Sequence, residues 1–312
     1  MPTPSEPALR GEWAARTDTP KRSVFGNYRT DGSPGGGGAS APSNPDPGRL
    51  ASAATKKEAA LQTAIDLAVA RSFLHRLLAL AFADPTPEAW RWLADAPTLA
   101  FVRSSAQVLD APLADSAQVL ADSLRPDAFE LFLDAYLATF GHAARGSCPL
   151  NEIEYGDIKA DPLFQPHRLA DLAAFYRAFG LEVTEDAGER HDHICLELEF
   201  MCVLAAKEAY ALEHQLDADQ LAQCRDAQRK FLREHLGRWT PAFARRLAAA
   251  TNDLALRALA EFTRAFVESE CSRFGVNPGS EELSLRPVDE AADRMCDSCG
   301  IAALPPGALA AT

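Results

Sequence analysis

From about Lys56 onward, apolar residues recur at three- and four-residue spacing, the pattern of helices that turn a face toward a core. Residues 56–83 carry Leu61, Ile65, Leu67, Phe73, Leu74, Leu77, Leu78 and Phe82 around most of one helix. Asp84-Pro85-Thr86-Pro87 stops that helix and starts the next, because proline is tolerated in a first turn and not beyond it. Short helices are expected over 87–95, 97–110, 113–124 and 127–140, the last ending at Gly141. Residues 141–165 show no period and read as a long loop of the kind that often carries function. A helix over 166–180, ended by Gly180, and a second loop over 181–192 lead into a long helix at 193–214. Ile194, Leu196, Leu198, Phe200, Met201, Val203 and Leu204 surround that helix, which is expected at the centre of the fold. Asp217 with Gln220 reads as a capping box for a helix over 218–236. Trp239-Thr240-Pro241 is expected to break it before helices at 241–250 and 252–273.

No window alternates strictly between polar and apolar, so strands find little support. The pattern predicts an all-α, single-domain helical bundle over 56–274. Residues 1–55 are expected to be a disordered N-terminal extension, since 13 of the 20 residues from Asp31 to Leu50 are Gly, Pro or Ser. Residues 275–312, with Pro278, Pro287, Pro305 and Pro306, are expected to form a mostly extended tail.

Charge then narrows the function. The 312 residues carry 31 Lys and Arg against 44 Asp and Glu, a formal charge of −13. Such a surface repels nucleic-acid phosphate and anionic lipid and suits a cationic partner. No apolar run reaches the roughly 18 residues that a membrane span needs. Lys21-Arg22-Ser23-Val24-Phe25 looks like the start of an export signal, but no apolar stretch follows it, so a cytoplasmic protein is expected. Seven cysteines, an odd count with several inside helical patterns, read as reduced thiols rather than a disulfide framework.

Glu189-Arg190-His191-Asp192-His193 is the densest polar cluster. It has two readings. Asp192 caps the central helix and His193 pairs with Glu197 one turn on, or His191, Asp192, His193 and Glu197 hold a metal, as in a metal-dependent hydrolase. Cys296 and Cys299 form a C-x-x-C, the other metal candidate, as half of a zinc or iron–sulfur site completed by Cys148, Cys271 or a histidine; without a second C-x-x-C it also reads as incidental. No Gly-x-Ser-x-Gly elbow, phosphate-binding glycine loop or His-Glu-x-x-His is present, so catalysis is not expected.

Four segments together resemble the TorD/DmsD/NarJ family of molybdoenzyme maturation chaperones. They are Arg71-Ser72-Phe73-Leu74-His75-Arg76-Leu77-Leu78 through Phe82-Ala83-Asp84-Pro85; Cys148-Pro149-Leu150-Asn151-Glu152-Ile153-Glu154-Tyr155-Gly156; Glu189-Arg190-His191-Asp192-His193-Ile194 with Glu197-Leu198-Glu199-Phe200-Met201; and Phe231 through Pro241, with His235-Leu236 and Trp239. The resemblance covers residues 60–275. It departs at His191, where the family has proline. The loop is then either more mobile or gains a polar contact from His191.

The resemblance implies a TorD-like bundle that binds the leader peptide of a molybdopterin oxidoreductase catalytic subunit and assists cofactor insertion before export. It implies no permanently bound cofactor, only transient contact with the client's molybdopterin cofactor, and a monomer or homodimer. A leader's arginines need carboxylates and its apolar middle needs a groove. Glu152, Glu154, Glu189 and Asp192 are candidates for the first, and Leu198, Met201 and Trp239 for the second. Tyr155, His193, Glu197 and His235 complete the expected peptide-binding set.

Overall fold

A computed structural model describes residues 47–141, 146–156, 164–184 and 188–286. Among them are ten α-helices and one 3-10 turn, with isolated bridges in place of strands. The helices are α1 (Pro47–Phe82), α2 (Pro87–Leu93), α3 (Ala96–Leu109), α4 (Ala111–Ser123), α5 (Phe129–Phe140), α6 (Phe164–Ala178), α7 (Ile194–Glu213), α8 (Ala218–Glu234), α9 (Leu236–Ala250) and α10 (Leu254–Arg273). The all-α expectation holds. Helix α1 starts at Pro47, inside the stretch expected to lack structure up to residue 55; residues 1–46 lie outside the described residues.

The caps follow from local chemistry. Thr86 accepts a hydrogen bond from the Ala89 amide, with Pro87 in the first turn of α2. Asp217 accepts from the Gln220 amide at 2.9 Å and opens α8. The central pair is α1 against α7, with α8 beside α7, α9 and α10 following, and α3 and α4 closing the other side. Leu196, Leu198, Phe200, Met201 and Leu204 of α7 are fully buried, as their all-round pattern requires.

The break expected at Trp239-Thr240-Pro241 lies instead at His235, between α8 and α9, and Pro241 is inside α9. Proline has no amide hydrogen, so the Gly237 carbonyl four residues back loses its helical donor. The Gly279 amide donates to that carbonyl at 2.9 Å. The chain after α10 thus returns across the N-terminal half of α9, so close that a Cβ on Gly279 would lie 1.8 Å from the Arg238 carbonyl oxygen. The segment expected to be a tail has no helix over 276–286 and turns at 281–282, but it is packed down as a strap, with Leu283 and Leu285 against the core.

A buried ionic knot ties the central helices together. Arg71 of α1 donates from Nε and Nη2 to Glu270 of α10 and from Nη1 to Glu208 of α7, and Gln228 of α8 joins it. Burial pushes the Glu270 carboxyl up, but the Arg71 charge and the hydrogen bonds from His75 and Arg71 overcome it and hold the group at about 2.

Candidate functional site

The site forms where three segments without helical period meet the start of α9. The first is the loop 148–156. Its Glu152 amide donates to the Asp192 carbonyl, and the Ile194 amide donates to the Leu150 carbonyl, both at 2.9 Å, so the loop pairs with the chain entering α7. Glu152–Glu154 form the 3-10 turn. On its other side the loop meets the strap: the Gly156 amide donates to the Ser284 carbonyl and the Arg286 amide to the Glu154 carbonyl. Tyr155 anchors the loop from within. Its hydroxyl donates to the Pro149 carbonyl at 2.8 Å, and its ring lies 5.0 Å from that of Trp239.

Glu152 is the hub, with no exposed surface. Arg168 of α6 donates to it at 2.8 Å, Arg238 of α9 at 3.0 Å, and His235 Nδ1 lies 3.0 Å away. Burial pushes its carboxyl up, but the hydrogen bond from His235 and the charges of His235, Arg168 and Arg238 outweigh this and hold it below the usual carboxylate range. The network reaches solvent at Asp171, whose half-exposed carboxylate lies 3.2 Å from His235 Nε2. His167, Arg168, Ala170 and Asp171 line an open depression of about 540 Å³ there.

Asp192 does not cap α7. The N-cap is His193, whose Nδ1 accepts from the Cys195 amide at 3.3 Å. Desolvation lowers the His193 imidazole to about 4, against the opposing charges of Asp192 and Asp84, which leaves it neutral and able to accept. Nor does His193 pair with Glu197. Asp192 is fully buried and staples the loop: it accepts from the Ile153 amide and Asn151 Nδ2, both at 3.2 Å, and receives both arms of the Arg190 guanidinium at 3.0 and 2.9 Å. Arg190 also stands 3.6 Å from buried Glu154. His191 gains contacts of its own: its carbonyl accepts from the Tyr176 hydroxyl at 2.8 Å, and its ring stacks on that of Tyr176.

Glu197 accepts from Trp239 Nε1 at 3.1 Å, while its other oxygen, Oε1, is buried with no hydrogen-bond partner. Burial, reinforced by the Glu152 charge, raises its carboxyl well above the usual range, which favours the neutral acid. Leu198 and Met201 lie wholly within the core, and Glu189 is half-buried at the entrance to the loop.

The expected peptide-binding residues are therefore brought together, but most face inward and have internal partners. The reason is electrostatic: Arg168, Arg190 and Arg238 already stand where a partner's arginines were expected. Sequence reasoning missed Arg168, Arg238 and Asp171, because they approach Glu152 or His235 from other helices. The metal readings fare differently. Among the described residues no group of three His, Cys, Asp or Glu side chains is arranged so that it could hold a metal ion, and Asp192, His193 and Glu197 each point to a different partner. Cys296 and Cys299 lie outside the described residues; Cys148 and Cys271, which could have completed their site, are buried thiols, each raised to about 12 chiefly by burial.

Known proteins resemble this chain in the same region. Residues 106–245 match the family described as nitrate reductase delta subunit. The perchlorate reductase assembly chaperone protein of Dechloromonas aromatica (strain RCB) is 28% identical over 218 residues, covering 69% of this chain and 94% of the relative. These matches support a redox-enzyme maturation chaperone of the TorD/DmsD/NarJ type. The selenate reductase assembly chaperone protein of Thauera selenatis is 37% identical over 107 residues, 34% of this chain and 53% of that relative. A chaperone protein TorD from Vibrio cholerae serotype O1 (strain M66-2) is 29% identical over 119 residues, covering 38% of this chain and 52% of its own length. In those two the chain thus matches about half of the relative's length. These relatives are named as assembly chaperones and not as catalysts.

Proposed function

We propose that this chain is dedicated to one oxidoreductase, binding the N-terminal leader of its molybdopterin-containing catalytic subunit while the client's cofactor is inserted. The observation that carries this reading is the match along 94% of a chaperone named for perchlorate reductase assembly. Relatives named for selenate and chlorate reductases support the same class of client.

The chemistry of the surface supports a basic leader. The net charge of −13 attracts one. Asp171, at the mouth of the Glu152 network, offers a half-exposed carboxylate in an open depression. Glu152 and Asp192 set the shape of the site and are not its contact groups. Among the described residues no helix is long and apolar enough to cross a membrane, which fits an encounter with the client in the cytoplasm. Co-expression with a candidate catalytic subunit tests the reading: a stable one-to-one complex is expected with the cofactor-free subunit. Recovery of both proteins only as separate species would refute it.

A further inference from the structure

The strap is a peptide ligand supplied by the chain itself. Its hold on the site is almost entirely through the backbone. The Gly156 amide to the Ser284 carbonyl at 2.9 Å and the Arg286 amide to the Glu154 carbonyl at 2.8 Å form one antiparallel unit around the Tyr155–Leu285 bridge. The third bond is from the Gly279 amide to the carbonyl left free by Pro241. Between these anchors the side chains alternate: Leu283 and Leu285 turn inward onto the core, and Ser284 is exposed. The flanking ion pairs of Glu282 with Arg245 and Glu281 with Arg264 involve partly exposed groups, which add little.

We infer that the edge of loop 154–156 is a docking groove for an extended apolar-x-apolar segment of the client, and that the strap is its resident occupant, displaced when the client binds. Main-chain pairing gives affinity with little dependence on sequence, and the two inward pockets select apolar residues. This combination fits the apolar part of a leader better than a fixed recognition sequence. Three backbone bonds, a donation from Arg246 to the Leu283 carbonyl, and two half-buried leucines hold the strap, so exchange needs no rearrangement of the helices. Removing the Gly156–Ser284 and Arg286–Glu154 bonds frees the Gly156 amide and the Glu154 carbonyl on the loop, which an incoming strand can take in the same register. The identity of the partner rests on the chaperone reading above; the groove itself does not.

The test uses the full chain with Gly279→Val, whose side chain collides with the α9 backbone and lifts the strap. The probe is a fluorescent peptide with the sequence of residues 276–286. It is expected to bind Gly279→Val and not wild type, because a tethered competitor acts at an effective concentration in roughly the millimolar range. The same peptide with Leu283→Asp and Leu285→Asp is expected not to bind. A model leader with two arginines followed by a leucine-alanine stretch is expected to displace the probe, and to bind Gly279→Val about tenfold more tightly than wild type, as loss of a tethered competitor implies. Where Gly279→Val fails to fold, Arg286→Pro removes one of the two pairing donors and serves in its place. A folded variant that ignores the probe overturns the groove. A leader that binds both proteins equally and leaves the probe bound overturns the exchange while the chaperone reading stands; a leader that binds neither protein, with the probe bound, overturns the client's place in the groove.

Discussion

Glu152→Gln is the substitution that most directly probes the architecture of the site. The wild-type carboxylate is fully buried and takes hydrogen bonds from Arg168 and Arg238, with His235 alongside. Glutamine keeps the shape, removes the charge, and turns an NH2 group toward one of those donors. Removing one partner of a dry ion pair costs about 3–5 kcal/mol. Here Arg168 and Arg238 keep 17% and 25% of their side-chain surface exposed. Water can therefore solvate them in part, and the expected loss is about 2–3 kcal/mol. For a domain of this size that corresponds to a fall in Tm of roughly 4–12 °C. The pH dependence identifies the cause. The folded-state carboxyl lies below its unfolded value, so its contribution is fully present above about pH 4.3 and is lost as the pH falls through the folded value. Urea denaturation at pH 7 and at about pH 3 measures both quantities: a wide gap between wild type and variant at the first and a narrow one at the second. A gap below about 0.5 kcal/mol at pH 7, the size of an ordinary surface substitution, would refute the hub role, as would a gap that ignores pH.

Two further substitutions have distinct signatures. The folded Glu197 carboxyl lies well above its unfolded value of about 4.3, so wild type loses stability as pH rises from that value toward the folded one. Glu197→Gln should therefore melt higher than wild type at pH 8, with the advantage shrinking toward pH 4; equal melting at both pH values would contradict this. Arg71→Met leaves Glu270 and Glu208 without their shared cation and should cost about 3–5 kcal/mol near pH 7.5 by urea denaturation. Glu270, no longer held at about 2, would then take up a proton more easily, so the loss should be smaller at pH 4.5 and a constant loss would be evidence against the knot.

The helices were legible because burial imposes a period on the sequence, and α7 was recognisable as central from its apolar circumference. The strap was not legible. An extended segment fixed by backbone bonds leaves no period, and its docking point depends on a carbonyl freed by Pro241, far earlier in the chain. The same proline looked like a break because its missing donor is usually fatal inside a helix; here Gly279 supplies the donor from outside. The site was half legible. Glu152, Asp192 and Glu197 stood out as charged residues in the loop and at the start of the central helix, but whether they face a partner or one another depends on Arg168 and Arg238, which approach from α6 and α9. Arg71 and His75, four apart among the apolar residues of the C-terminal half of α1, carried a readable sign of a buried ionic knot that only the fold completes with Glu270.

The chaperone account itself is tested most directly by calorimetric titration of a candidate molybdopterin oxidoreductase catalytic subunit into this chain, with and without its N-terminal leader. The account predicts one-to-one binding by the full subunit, weakening as salt is added because exposed charges are screened, and loss of binding when the leader is removed. Equal affinity for the subunit lacking its leader would contradict it.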